Sequence, residues 1–248
     1  MTNDFFLAVA VAVAAALYSS VGHGGASAYL AILTLAGHLR PEIASTVLAM
    51  NIVVSSMAWY RFRARGHFDA SLTGILLLFS APAAFVAGTI PVAPHLFAVI
   101  LGLALVTAAA RLILPDPQPR VPQRPQGTTL WLISAPLGTA LGLLAGFTGV
   151  GGGVYLAPLL IFFGWKDAIG TAGVTAAFIS INSLTGLLGR QLRGETFDLS
   201  LLPLVIAAIA GGFFGSWWGA EHATPATLKR ILGVVLLLAG IKLLSGLG

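Results

Sequence analysis

The chain has 248 residues, of which 57% are hydrophobic and only 8% charged, with a formal net charge of +5 and no cysteine. Soluble domains carry about 25% charged residues, so this composition cannot cover a water-facing surface. The absence of thiols excludes disulfides, thiolate metal sites and cysteine catalysis, and the few charges form no basic stripe of the kind that binds nucleic acid.

The apolar segments run over 5–22, 26–37, 43–60, 71–90, 95–114, 130–148, 152–164, 168–189, 199–220 and 226–246. Runs of about 20 apolar residues match a hydrocarbon core of roughly 30 Å at 1.5 Å rise per residue. They are continuously apolar, without the period-2 alternation of a barrel strand. The sequence therefore predicts an all-α polytopic membrane protein. The opening "MTNDFFLAVAVAVAAALYSS" lacks a positive n-region and reads as the first helix, not as a cleaved leader. Pro94 and Pro225 sit where helices begin, while Pro82, Pro136, Pro158 and Pro203 mark expected kinks.

Between the fifth and sixth segments lies "PDPQPRVPQRPQG", Pro115 to Gly127, a Pro-rich stretch suited only to an extended, water-exposed linker. It divides the chain into a first transmembrane repeat (1–114), a cytoplasmic linker (115–127) and a second transmembrane repeat (128–248). The two parts resemble each other in order. "GHGGASAYLAIL" (22–33) lies over "GVGGGVYLAPLL" (149–160), and "RGHFDASL" (65–72) over "GETFDLSL" (194–201). The shared Phe-Asp in polar loops is hard to attribute to chance, so an internal duplication is expected.

Basic loops orient membrane proteins. Arg61, Arg63 and Arg65 follow the third segment, Arg190 and Arg193 its counterpart, and Arg120 and Arg124 occupy the linker. All fall on one side if the short segments 26–37 and 152–164 do not cross. Each half then has about four spanning helices plus a short broken or re-entrant one, the halves run parallel, and both termini are cytoplasmic. If the short segments do cross, the architecture is a five-plus-five inverted repeat. Charge favours the first; short half-helices that combine into crossings keep the second open.

"SSVGHGGASAYL" (19–30) and "FTGVGGGVYLAPLL" (147–160) both place glycine clusters inside apolar runs. Glycine within a helix costs about 1 kcal/mol relative to alanine, so helices should break here. Broken backbone in a membrane must be buried in protein or line a watery cavity. Each break then delivers a helix N-terminus to the interior, where first-turn N–H groups without helical partners bind anions. The bland alternative is close helix packing, which suits single glycines such as Gly102 and Gly233. The clusters exceed that need. The candidate anion-binding residues are His23, Gly24, Gly25, Ser27, Thr148, Gly151, Gly152 and Gly153, with Ser45, Thr46, Thr171, Asn51 and Asn182 completing the lining. His23 is either a proton carrier or anion contact, or a neutral histidine bonded to backbone. Helix-to-helix hydrogen bonding is the competing role for the two asparagines.

No carboxylate pair falls within an apolar segment, no His–Glu spacing suggests a metal, and the glycine runs lack the Gly-Lys-Ser/Thr of a phosphate loop. No cofactor is expected. The paired G-x-G-G breaks, the "GVGGGVYLAPLL" core, the following "KDAIGTAG" and the linker between halves resemble the sulfite exporter TauE/SafE family of bacterial membrane transporters. Ala26 and Ala31 stand where the second-half motif has Gly153 and Pro158. The resemblance implies an inner-membrane, multi-pass carrier of sulfite, an organosulfonate or a related carboxylate. The expected partners are a small anionic substrate and the lipid bilayer, with a homodimer as a further possibility. A passive anion channel is the alternative within transport. A membrane-embedded enzyme using His23, His95 or His222 would need a cluster of acids and bases that the sequence lacks.

Overall fold

A computed structural model of the chain describes residues 2–37, 43–113, 124–219, 234, 236–238 and 240–245. All regular structure among them is helical. In chain order the helices are α1 (Thr2–Ser19), α2 (Ala26–Leu35), α3 (Ile43–Ala64), α4 (Ala70–Thr89), α5 (Pro94–Ile113), α6 (Gly127–Thr148), α7 (Gly153–Phe162), α8 (Ala168–Leu192) and α9 (Leu202–Gly219), the last entered through a 3-10 turn, Leu199–Leu201. Each predicted apolar segment up to residue 220 is a helix. Most of the 226–246 segment, Pro225, Gly233, His222 and linker residues 115–123 lie outside the described residues.

Local chemistry sets the helix starts. Asp69 caps α4 by accepting from the Leu72 N–H at 3.0 Å, and Asp167 caps α8 through the Gly170 N–H at 2.9 Å. The short helices start differently. Gly25 before α2 and Gly152 before α7 are both left-handed, with φ of 97° and 75°, a geometry closed to most side chains. Pro82 and Pro136 fall inside α4 and α6. Pro203 sits instead in the first turn of α9, where no helical hydrogen bond is lost, so it needs no kink.

Among the described residues, five helical stretches are long and apolar enough to cross a membrane: Ile43–Ala64, Ala70–Thr89, Gly127–Thr148, Ile169–Leu192 and Leu199–Gly219. Their outward faces are apolar, with Leu132, Ile206 and Phe214 more than 60% exposed, as a lipid-facing surface requires. This is the polytopic membrane architecture the composition predicts.

The directions of the helices correct the favoured topology. Asp69 stands at the start of α4 and pairs with Lys166, just before α8, at 2.7 Å and with Arg124, just before α6, at 2.9 Å. Burial alone would raise its carboxyl, but the Leu72 N–H, Lys166 and Arg124 together hold it below the usual carboxylate range. The far end of α4 meets the loop after α8, where Arg193 donates to the Ile90 carbonyl. Ser45, near the start of α3, donates to Glu195 at 2.6 Å. So α4 and α6 run from the Asp69 end to the Glu195 end together with α8, while α3 and α9 run the opposite way. α1 runs alongside α9 in the same direction, with Ala12, Ala16 and Ser20 against Gly211, Gly215 and Gly219. The first half of the chain thus enters the bundle at the Glu195 end and the second half at the Asp69 end.

The expectation that all three basic loops share one side fails. Arg61, Arg63, Arg65 and Arg124 gather at the Asp69 end, and Arg190 and Arg193 at the other. The reason lies in Arg190, which is only 1% exposed. Its guanidinium pairs with Glu195 at 3.1 Å and donates to the Gly146 and Phe147 carbonyls at 3.1 and 2.9 Å. It neutralises an acid and the open C-terminal carbonyls of α6 and is not a free loop charge.

Small residues set how closely the helices approach. Gly138, Gly142 and Gly146 of α6 lie on the backbone of α4 at Leu76, Ser80 and Ala84, as Gly211, Gly215 and Gly219 of α9 lie on α1. Both are small-xxx-small seams. Gly102 also packs, against Leu244 and Gly240. A methyl on Gly142 would overlap the Ser80 carbonyl, whereas one on Gly74 meets nothing within 4 Å. Gly142→Ala should therefore cost about 1–3 kcal/mol as an overpacked interface, while Gly74→Ala should be neutral or mildly stabilising. Thermal unfolding midpoints of the two purified variants in one detergent check this difference.

Candidate functional site

The two glycine breaks begin as turns at opposite ends of the bundle. In the first, α1 ends at Ser19, the chain turns, and the His23 N–H returns to the Tyr18 carbonyl at 2.9 Å. The turn rests on α8, where Thr175 donates to the Gly22 carbonyl at 3.3 Å. In the second, Gly149 caps α6 through the Ala145 carbonyl at 2.9 Å and rests on Ala44 of α3. From each turn the chain heads back inward. α2 then leads toward the start of α3, and α7 toward Lys166 and the start of α8. The N-termini of α2 and α7 point back into the bundle interior from which both helices start.

They meet at Asn51 of α3. Its Oδ1 accepts from the Ala26 N–H, the first of α2, at 3.3 Å. Its Nδ2 donates to Ser183 Oγ of α8 at 2.8 Å and lies 3.5 Å from the Val150 carbonyl in the second break. The partners fix the amide orientation, since a backbone N–H can only donate and a carbonyl only accept. Asn51 and Ser183 are both fully buried. One amide therefore joins both breaks and α8 through groups that would otherwise be open in a low-dielectric interior.

This contact explains two of the glycines. A methyl on Gly24 would overlap Asn51 Oδ1, and one on Gly151 would lie 2.6 Å from Asn51 Nδ2 and 2.8 Å from Ser183 Oγ. The backbone of each break lies flat against the amide. Tyr29 holds the first break from the other side, donating to the Gly24 carbonyl at 2.8 Å.

The remaining predicted residues divide into groups. Gly25, Gly152 and Gly153 belong to the same centre, with Gly153 against Ile179 of α8. Ser27 lies in the first turn of α2, but its hydroxyl donates to Tyr18 at 3.0 Å. Thr148 serves as a local cap, accepting from the Val150 N–H at 3.2 Å. Asn182 donates to the Phe178 carbonyl of its own helix at 2.8 Å, and its buried Oδ1 has no hydrogen-bond partner. Thr171 lies in the first turn of α8, well away from Asn51 along that helix; its hydroxyl is likewise buried without a partner. Ser45 and Thr46 are not at the centre: Ser45 binds Glu195, and Thr46 accepts from the Asp198 N–H at 2.9 Å. His23 keeps its Nδ1 3.0 Å from the Val21 carbonyl and its ring edge-on to Tyr18. Among the described residues there is no group of three acids or histidines able to hold a metal.

Thr175, Tyr18, Tyr29 and Glu195 escape the sequence reading. The tyrosines carry a signal in flanking the break by a few residues on each side. Thr175 and Glu195 are brought in only by tertiary packing.

If Asn51 is what forbids a side chain at Gly24, the two positions are energetically coupled. Gly24→Ala should destabilise wild type strongly and an Asn51→Ala background less, with a coupling energy of about 1–3 kcal/mol. Thermal unfolding of the four proteins in the double-mutant cycle measures it, and simple additivity would remove the steric explanation.

The family model described as "Sulfite exporter TauE/SafE" matches residues 7–243. A "Probable membrane transporter protein y4hK" from Sinorhizobium fredii is 31% identical over 250 residues, covering 98% of this chain and 99% of that protein. A "Probable membrane transporter protein YjnA" from Bacillus subtilis is 33% identical over 116 residues, 44% of each chain. No solved structure matches. With a family model spanning nearly the whole chain and a full-length relative at this identity, the protein belongs to the sulfite exporter TauE/SafE family of membrane transporters.

Proposed function

We propose that the protein is a secondary transporter for a small anion, in which the substrate binds at the N-termini of α2 and α7. The supporting observation is the convergence of two helix starts on one buried amide, in an interior without lysine or arginine at that point. Each start carries roughly half a positive charge, and broken backbone offers N–H groups an anion can use. The Ala26 N–H is already taken by Asn51. The first turn of α7, with Ser183 beside it, is therefore the better part of the site.

The antiparallel entry of the two halves and the matching α1–α9 and α6–α4 seams support an inverted repeat. In such repeats the site lies near the bilayer midplane and is exposed to either side in turn. Sulfite, an organosulfonate or a related carboxylate fits a site built of N–H donors, and the plasma membrane is the expected location. No ATP-binding motif is present in the sequence, so an ion gradient or the gradient of the anion itself would drive transport.

Isothermal titration of the purified protein with sulfite, a simple alkanesulfonate and acetate tests the site. Saturable binding of at least one is expected, and Gly152→Leu should abolish it, because a side chain there meets both positive φ and the Leu141 carbonyl at 3.0 Å. Binding of cations but of no anion would overturn the proposal. Counterflow in proteoliposomes separates carrier from channel: a carrier accelerates labelled-anion uptake when unlabelled anion is inside, and a channel does not.

A further inference from the structure

Six charged residues, none of them at the central site, form two clusters, each built around one acid. At one end Asp69 is held between Lys166 at 2.7 Å and Arg124 at 2.9 Å. At the other Glu195 is held between Arg190 at 3.1 Å and Arg193, and also accepts from Ser45 at 2.6 Å. The Asp69 cluster joins three parts of the chain, whereas Glu195 and its two arginines lie in one loop that reaches the first half through Ser45 and Ile90. Asp69 belongs to the first half, Lys166 to the second and Arg124 to the connection between them. Glu195 and its arginines belong to the second half, Ser45 to the first, and Arg193 also reaches the Ile90 carbonyl of the first.

Each cluster also lies over one glycine turn. The Asp69 loop covers the start of α8, where the His67 carbonyl rests on Gly173 next to the Gly22–Ala172 contact. Arg190 grips the α6 carbonyls just before Gly149, and Ser45 neighbours Ala44, on which Gly149 rests. With both clusters formed, Asn51 and Ser183 are completely buried, so the centre is shut from both ends at once.

We propose that the Asp69 and Glu195 clusters are the two closures of the transport path, each releasing the centre to water on its own side. The proposal rests on the alternating-exposure reading of the site. Polar and ionic contacts between elements suit this role, Asp69 with Lys166 and Arg124 at one end and Glu195 with Ser45 and Arg193 with the Ile90 carbonyl at the other, because hydrating separated partners restores most of what their contact contributes. The acids are the shared members: removing one carboxylate charge frees two bases at a time.

The chain has no cysteine, so a single introduced thiol reports without background. Ser183→Cys places it at the centre. Its rate of labelling by a membrane-impermeant thiol reagent is then measured in right-side-out and inside-out membrane vesicles. Glu195→Gln should accelerate labelling about tenfold from one face only, and Asp69→Asn about tenfold from the opposite face only, as expected for shifting a minor open state. If either acid variant fails to fold, Arg193→Gln and Lys166→Gln, which each leave one base in place, should act in the same directions more weakly. Unchanged labelling in folded variants of both clusters would overturn the proposal, as would acceleration from the same face by both. The assay needs no substrate. Failure to bind any anion would leave it readable, and unchanged labelling in a protein that binds an anion would remove the closures alone.

Discussion

The bundle depends on one hydrogen-bonding constraint: backbone that leaves the helix inside a membrane must find partners within the protein. Asn51 meets it for both breaks at once. A carboxamide is suited to the position because it offers an acceptor on one side and two donors on the other, and the breaks present an N–H on one side and a carbonyl on the other. Serine or threonine could not span the same groups. An acid would leave the Val150 carbonyl facing an acceptor, and a base would leave the Ala26 N–H facing a donor. The neutral amide joins the two ends without introducing a charge that hydrocarbon surroundings would penalise.

The close seams follow from the same economy of polar groups. Lipid tails are as apolar as leucine, so helices gain little from hydrophobic burial and rely on contact. Glycines four residues apart on α6 and α9 bring whole backbones together along a line. Those seams hold α4 to α6 and α1 to α9. α3 and α8 carry the centre between them, with Ser56 and Ser180 bonded at 2.6 Å. Two close-packed pairs flanking the polar pair α3 and α8 is the arrangement from which the site is positioned.

Much of this was legible in the sequence. Composition gives the membrane class, apolar length gives the helices, and glycine clusters give both breaks. The breaks were read as helix starts, and α2 and α7 do start there. Direction was not legible, and Arg190 shows why. Counting basic residues in loops assumes that each is hydrated, but this one is consumed by Glu195 and two helix carbonyls. Its partners lie 5, 43 and 44 residues away, and no local pattern announces them. As polar groups in an apolar run Ser45 and Thr46 read as part of the lining, yet they bind Glu195 and the Asp198 N–H. The sequence marks Asn51 as a lining or helix-linking residue, but its position as the link between the two breaks follows only once α3 is placed between them.

The distribution of polar groups separates two tasks by energy. At the centre the partners are neutral: an amide, a hydroxyl, a carbonyl and an N–H. Each such bond contributes a net 0.5–1.5 kcal/mol or so, and one can be exchanged for a bond to a bound solute at little cost. At the two ends the partners are ionic, from three parts of the chain around Asp69 and from one loop around Glu195. Arg190, only 1% exposed, would cost several kcal/mol if left unpaired where it lies, whereas Lys166 and Arg124, 27% and 33% exposed, are already partly hydrated. On the proposed function this division suits a carrier: a substrate would replace neutral bonds at the centre one at a time, while the charged ends govern access to it.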